Sequence, residues 1–137
     1  MKVLYITDAD DKYGASKSLE EMILNMKKKY DVHPIVLTSR KNGVNLFCDK
    51  NGIENYVTHH QKYKYVVTRN FLNDSIKFFP RYLRYIFGNL IALKKIKKYI
   101  NMNEIDFIHT NISAIDFGCL LAKKYKKKHI MHLREFR

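Results

Sequence analysis

Short apolar runs alternate along this chain with longer segments in which apolar residues recur every three or four positions. Apolar runs without polar alternation are typical of strands that are buried on both faces of a parallel sheet. The pattern predicts five strands, at Val3–Ile6, Val32–Thr38, Ile53–Val57, Asp106–Asn111 and His129–Leu133. The fourth segment, Asp106–Asn111, includes both the strand and the loop that follows it.

Helical spacing fills most of the intervals between these strands. Apolar positions from Ala15 to Tyr30 predict the first helix, and residues 44–51 predict a short second one. The third helix, Arg81–Ile100, is long and amphipathic, and its outer face is expected to be basic. The fourth covers Ile112–Tyr125, whereas residues 58–79 show no clear pattern.

This alternation of strands and helices predicts the fold class. Because parallel strands are joined by right-handed crossovers, the order indicates a single α/β domain over residues 1–137, Rossmann-like, with a doubly wound parallel sheet of strand order 3-2-1-4-5. The first and fourth strands then flank the point at which the strand order reverses. Residues 8–16, 109–113 and 132–135 are expected to meet at this edge, where open sheets of this class bind ligands.

Two of these strand exits carry candidate binding groups. Gly14, Ala15 and Ser16 stand at the start of a helix, where free N–H groups and the positive end of the helix dipole favour a phosphate or carboxylate. An ordinary tight turn is the alternative, since the loop has neither the GxGxxG fingerprint nor a Walker lysine pattern. Asn111 follows the fourth strand, where its amide would either bind a hydroxylated ligand or cap the next helix.

The third exit carries the candidate catalytic histidine. His132 stands at the end of an apolar strand, and the following Arg134 and Glu135 would orient it or bind anionic substrate groups. A purely structural role for His132 is also open. His109 lies within a predicted strand and is expected to be a core residue. No spacing of His, Cys, Asp or Glu indicates a metal site.

Composition limits the class of protein. With 46% hydrophobic residues the chain can form a core, so a disordered protein is excluded. Its two cysteines are too few for a disulfide framework and are expected to be reduced. No stretch approaches the roughly 20 apolar residues of a membrane span. We therefore expect a cytoplasmic protein, free or peripheral at the inner face of the cell membrane.

The formal net charge of +13 is concentrated in one segment. Residues 62–101 hold ten of the basic residues, one acidic residue and nine of the 18 Tyr and Phe. This segment is a solvated helix face, a surface for anionic lipid, or a surface for nucleic acid on which bases stack. In the membrane interpretation the residues that face the lipid are Arg81, Arg84, Lys94, Lys95, Lys97 and Lys98.

Three stretches resemble the amino-terminal domain of retaining glycosyltransferases of family 4, which have the two-domain GT-B fold. Lys2–Ile6 followed by Gly14–Leu19 is similar to the family's first strand, glycine-containing loop and first helix. Asp106–Asn111 resembles its "DxIHxN/H" strand, and Ala122–Lys124 through His129–Phe136 resembles its "AKK…PHIxHxREF" segment. Two positions depart from the pattern, because Tyr13 replaces the first glycine of a common pair and no Gly-x-Pro precedes the last strand.

The resemblance implies transfer of a sugar from a nucleotide-sugar donor to a glycan or lipid-linked acceptor, in polysaccharide or cell-envelope glycan biosynthesis, without a metal or other cofactor. It implies that His132 lies near the reacting sugar, that Gly14–Ser16 lie against donor phosphates and acceptor, and that Arg134 and Glu135 shape the acceptor side. Residues 1–137 would then be the acceptor-binding half, with the carboxy-terminal donor-binding domain absent, and would transfer no sugar alone.

Two other classes remain as alternatives. A non-catalytic α/β binding module would use the basic segment to bind anionic lipid or nucleic acid. A receiver-type domain fits the length and the acidic residues Asp8, Asp10 and Asp11. However, it would need an aspartate at the end of the third strand and a lysine at the end of the fifth, where this chain has other residues.

Overall fold

The centre of the molecule is a five-stranded sheet whose strands are all parallel. The structure is a computed structural model, which describes residues 1–8, 14–62 and 71–133. The strands are β1 Lys2–Ile6, β2 His33–Thr38, β3 Glu54–Val57, β4 Phe107–Thr110 and β5 Lys128–Met131. Their order is β3-β2-β1-β4-β5, which confirms the predicted doubly wound α/β topology.

Four helices connect the strands: α1 Gly14–Tyr30, α2 Gly43–Lys50, α3 Phe71–Ile96 and α4 Phe117–Tyr125. A short 3-10 turn at Met102–Glu104, which the sequence pattern did not predict, precedes β4. The predicted start of α4 at Ile112 is wrong by five residues. Its first residues form a turn instead, in which the N–H of Ile115 donates to the carbonyl of Ile112 at 3.2 Å.

The alternation of side chains along the strands divides the core into two clusters, one on each face of the sheet. On one face Leu4 and Ile6 of β1 belong to the cluster that includes the end of α3 and the start of α4. On the other face Val3 and Tyr5 belong to the cluster that includes α1 and α2. Burial on both faces explains why the central strands β1, β2 and β4 are mostly apolar, whereas the edge strands β3 and β5 are partly exposed.

Helix α3 differs from its prediction in length and orientation. It begins ten residues before Arg81 and continues through Pro80, which is exposed. Its buried side carries Asn89, Ala92 and Ile96, whereas Phe87, on the outer face that was expected to be basic, is 59% exposed.

From Ile76 onward, α3 has an exposed side that is largely apolar. Exposed apolar side chains recur there at helical spacing: Ile76, Phe79, Phe87, Leu90 and Ile91. The prediction of a basic outer face therefore holds in part: Arg81 and Arg84 are exposed within the helix, and Lys94, Lys95, Lys97 and Lys98 are exposed at its end and just after it. Within the described residues, α3 thus carries an exposed apolar side next to exposed basic residues.

Candidate functional site

The structure brings the first two predicted strand exits together. The N–H of Asn111 donates to the carbonyl of Ile6 at 3.0 Å, which extends the pairing of β4 with β1. Its buried side-chain amide donates to the carbonyl of Ala15 at 3.2 Å. Asn111 therefore fixes the start of α1, where Gly14 is exposed and Ser16 is buried in the first turn. Binding of substrate by these residues stays a prediction.

His132 lies just past β5 and is exposed. Its N–H donates to the carbonyl of Thr110 at 2.8 Å, so its backbone extends the pairing of β5 with β4. Its ring lies edge-on to that of His109, with 5.9 Å between the ring centroids. The ring of His109 in turn lies 5.4 Å from that of Tyr5, again between centroids. His109 is 6% exposed, as expected for a core residue. The predicted partners Arg134 and Glu135 lie outside the described residues.

A cleft that the sequence did not predict lies at the same edge of the sheet. It has a volume of about 660 Å³ and lies between the carboxyl ends of β1, β2 and β3 and one side of α3. Its lining comes from four separate parts of the chain: Asp8, Ser39, Arg40, His59, His60, Gln61, Lys62, Arg81, Arg84 and Tyr85. We refer to it as the cationic cleft, because four of these residues are Lys or Arg and one is acidic.

Asp8 is the acidic group of the cationic cleft and is only 5% exposed. Its Oδ1 accepts a hydrogen bond of 2.7 Å from the N–H of Ser39, and its Oδ2 lies 3.5 Å from Nε2 of His60 and 3.3 Å from Nζ of Lys62. Burial by itself would raise the pKa of Asp8, but His60, Ser39 and Lys62 together hold that pKa at about 2. The carboxylate is therefore ionised and already compensated at neutral pH.

The segment after β3 is fixed to the helices on that face of the sheet. The ring of His60 stacks on Phe117 of α4 at 4.9 Å, with an angle of 4° between the planes. Buried Asn89 of α3 accepts from the N–H of Gln61 at 2.9 Å and donates to its carbonyl at 3.3 Å. His59, which precedes His60 and Gln61, has a φ of 51°, in the left-handed region. The side chains of this segment are thereby held against α3.

The α3 wall presents Arg81 and, one turn later on the same side of the helix, Arg84 and Tyr85. The hydroxyl of Tyr85 donates a short hydrogen bond to Asp116 at the start of α4, and burial followed by this bond raises the pKa of Tyr85 well above its usual range. With Arg40 and Lys62 on the opposite wall, the lining has a formal charge of +3 when its histidines are neutral.

Sequence patterns could not show this cleft, because its lining comes from residues far apart in the chain and from the segment without clear periodicity. The one available signal was Asp8, an acidic residue two positions after an apolar strand. Arg81 and Arg84, which the sequence assigned to a membrane-facing surface, line the cleft. Of the predicted membrane-facing set, only the four lysines from Lys94 to Lys98 lie outside it.

A second group of polar side chains lies between β4, α4 and β5. Nε2 of His129 is 2.8 Å from Oγ1 of Thr110, and its Nδ1 is 3.5 Å from Sγ of Cys119. Burial lowers the pKa of His129, while burial and then the charge of Asp116 raise the pKa of Cys119. These shifts favour a neutral imidazole and a protonated thiol, so this Cys–His pair does not form an activated nucleophile.

Within residues 1–8, 14–62 and 71–133, no three His, Cys, Asp or Glu side chains come together as a metal site would require. None of the helices in these ranges combines the length and the apolar character that crossing a bilayer needs.

Comparison with known proteins gives a likeness in fold. No protein-family model matches the chain, and no curated protein sequence matches it. The structure is similar to the crystal structure of MurG from Acinetobacter baumannii, with a TM-score of 0.54 and 11% identity, over 96% of this chain and 34% of that one. The chain thus spans about a third of the length of MurG. Its fold is that of one half of a GT-B enzyme.

Proposed function

We propose that this chain is the acceptor-binding half of a glycosyltransferase of the GT-B type, similar to the retaining enzymes of family 4. The whole enzyme would transfer a sugar from a nucleotide-sugar to a glycan or lipid-linked acceptor in polysaccharide or cell-envelope glycan biosynthesis. The observation that carries this proposal is the likeness in fold between this chain and MurG, which extends over 96% of the chain. Folds of this class bind ligands at the carboxyl ends of their strands, where the candidate residues lie.

The placement of the predicted residues supports the proposal. Ala15 and Asn111 are in contact at the exits of β1 and β4, and exposed His132 follows β5 beside them. In the whole enzyme His132 would face the reacting sugar. Catalysis would be electrostatic, because fixed cations and N–H groups stabilise the charge that develops on the leaving diphosphate. The proposal needs no metal and no cofactor beyond the nucleotide-sugar substrate.

The first experiment tests acceptor binding by the 137-residue chain. We expect the wild-type chain to bind a subset of bacterial surface oligosaccharides on a glycan array and His132→Ala to weaken that binding at least five-fold. His33→Ala is the matched control, because His33 is exposed and begins β2 at the opposite edge of the sheet. Binding to no glycan, or equal losses in both variants, would contradict the proposal.

The same chain is expected to transfer no sugar. The chain covers about a third of MurG, and GT-B enzymes bind the donor between two domains. Incubation with radiolabelled nucleotide-sugars and any glycan found on the array should therefore give no labelled product. Turnover by the purified chain would refute this part of the proposal.

We also propose that α3 rests on an anionic membrane surface. Its outer face exposes Phe79 and Phe87 among other apolar side chains, and exposed lysines follow at its end. An apolar face flanked by cations suits the boundary between acyl chains and anionic headgroups. Charge complementarity therefore favours lipid over an apolar protein partner.

Vesicle flotation tests this surface. We expect binding to phosphatidylglycerol vesicles, weaker binding to phosphatidylcholine vesicles, and a loss of at least five-fold for Phe87→Ser. Leu46→Ser is the control, because Leu46 is similarly exposed, at 55%, but lies on α2 at the other face of the sheet. Strong salt-sensitive binding to oligonucleotides without vesicle binding would instead favour a nucleic-acid module.

A further inference from the structure

The cationic cleft carries positive charge that the described protein does not neutralise. Arg81 and Arg84 are exposed, lie one turn apart on α3, and form no ion pair with any residue in the described ranges. Like charges at this spacing on a helix repel each other. A concave surface strengthens the field of such charges and concentrates anions. The arrangement therefore favours an anionic ligand over an empty cleft.

The opposite wall holds a third cation in a fixed place. Nζ of Lys62 lies 3.3 Å from Asp8, whose carboxylate is anchored by the N–H of Ser39. Its side chain remains 28% exposed, so it reaches the cleft while it contacts Asp8. The backbone of Gln61, the residue before Lys62, is hydrogen-bonded to the side chain of Asn89 on α3. These hydrogen bonds set the distance between the two walls.

The volume and the chemistry of the lining identify the class of ligand. About 660 Å³ lies within the usual range for small-molecule sites, roughly 300–1,000 Å³. Guanidinium groups match phosphate oxygens with paired hydrogen bonds, and an ammonium adds a point charge. A carboxylate ligand would be satisfied by one arginine, whereas cations from two walls fit the several oxygens of a phosphate or diphosphate.

We propose that the cationic cleft binds a phosphate monoester or diphosphate, with Arg81 and Arg84 on one wall and Lys62 on the other as its cationic ligands. Asp8 is a positioning residue that holds Lys62. That this phosphate belongs to the acceptor, as the headgroup of a lipid-linked glycan, rests on the proposed function. The proposal of an anion site in the cleft does not depend on the proposed function.

Calorimetric titration with pyrophosphate at low salt tests the site. We expect the double variant Arg81→Gln/Arg84→Gln to weaken binding at least ten-fold. Lys94→Gln/Lys95→Gln is the matched control, because it removes the same charge from exposed positions near the end of the same helix, outside the cleft. Equal losses in the two double variants, or no binding to the wild-type chain, would overturn the proposal.

Two further measurements test whether the loss of binding comes from unfolding of the variant and whether it depends on the geometry of the arginines. Pyrophosphate should raise the unfolding temperature of the wild-type chain and the lysine control, but not of the arginine variant, provided that circular dichroism shows all three to be folded. Arg81→Lys/Arg84→Lys should recover part of the affinity, because it restores charge without the paired geometry. If the arginine variant fails to fold, loss of pyrophosphate protection in the single variant Arg84→Gln decides the same question.

Vesicles that contain phosphatidic acid distinguish a lipid headgroup from a free phosphate. Arginine-dependent binding to these vesicles, beyond that to phosphatidylglycerol, supports a lipid-borne phosphate. Arginine-dependent binding of pyrophosphate alone supports a soluble one. If pyrophosphate binds while the glycan array stays empty, the anion site stands and the acceptor-binding proposal fails.

Discussion

The substitution Asp8→Asn tests whether the charge on the buried carboxylate stabilises the fold. Asparagine keeps the shape of the side chain and can still accept from the N–H of Ser39, but it removes the charge that faces His60 and Lys62. We therefore expect a loss of stability without a change of fold.

The magnitude follows from the pKa of Asp8. Folding lowers this pKa from an ordinary value of 3.8 to about 2. Since one pH unit of difference in pKa is worth about 1.4 kcal/mol, the ionised carboxylate contributes about 2 kcal/mol to the free energy of unfolding. Because the folded pKa is the lower one, this contribution is fully present above the unfolded value, falls to about half near pH 3, and is largely lost near pH 2.

Urea unfolding between pH 3 and pH 7 measures this dependence. Circular dichroism is a suitable signal because the chain has no tryptophan. The difference in free energy of unfolding between wild type and Asp8→Asn should be about 2 kcal/mol from pH 5 to pH 7 and about half of that at pH 3. Asp31→Asn is the control, since the side chain of Asp31 is 97% exposed. A difference that is the same at pH 3 and pH 7 would refute the reasoning.

Two further substitutions test contacts around the site. Gly118→Ala should lower the free energy of unfolding by about 1–3 kcal/mol, because the new Cβ would lie 2.0 Å from Oγ1 of Thr110. In urea unfolding Gly14→Ala is its control, since a Cβ there meets nothing within 4 Å. Asn89→Ala should lower the free energy of unfolding by about 1–3 kcal/mol, because both hydrogen bonds to the main chain of Gln61 are lost. Faster amide hydrogen exchange at Gln61 would confirm that cause, and unchanged exchange would contradict it.

The fold could be predicted because its three central strands, β1, β2 and β4, are buried on both faces. Val3, Leu4, Tyr5 and Ile6 are all at most 2% exposed, so the apolar run is continuous and its end is marked by the polar residues that follow. Such runs, alternating with helical spacing, leave few possible topologies once right-handed crossovers are required. The sheet order therefore followed from these local patterns together with the crossover rule.

The extent of α3 could not be predicted in the same way. Proline in a helix interior removes a hydrogen bond, so a start just after Pro80 was the reasonable prediction. Pro80 is exposed, however, and a carbonyl without an amide partner can bond to water at such a position. The helix is also apolar on two sides, and spacing does not tell which side packs on the sheet. The bonds between Asn89 and Gln61 connect the buried side to the segment after β3.

The cationic cleft depends on contacts that no local pattern records. Asp8 and His60 lie far apart in sequence, and they meet only because β1 and β3 end at the same edge of the sheet. Residues 58–62 follow no helical or strand period, and their conformation includes a positive φ at His59. The sequence predicted the edge of the sheet at which ligands bind, but not which side chains meet there.

Helix α3 links the two proposed surfaces of this molecule. One side carries Arg81 and Arg84 in the cleft, and the side that bears Phe79 and Phe87 is exposed and apolar. If the apolar side enters the boundary between acyl chains and headgroups, the arginines lie at the depth of the lipid phosphates. A lipid-linked acceptor presents its phosphate charge at that same depth. The two surfaces then contribute differently. Loss of Phe87 would weaken binding to every anionic vesicle, whereas loss of Arg84 would weaken only binding that depends on the phosphate in the cleft.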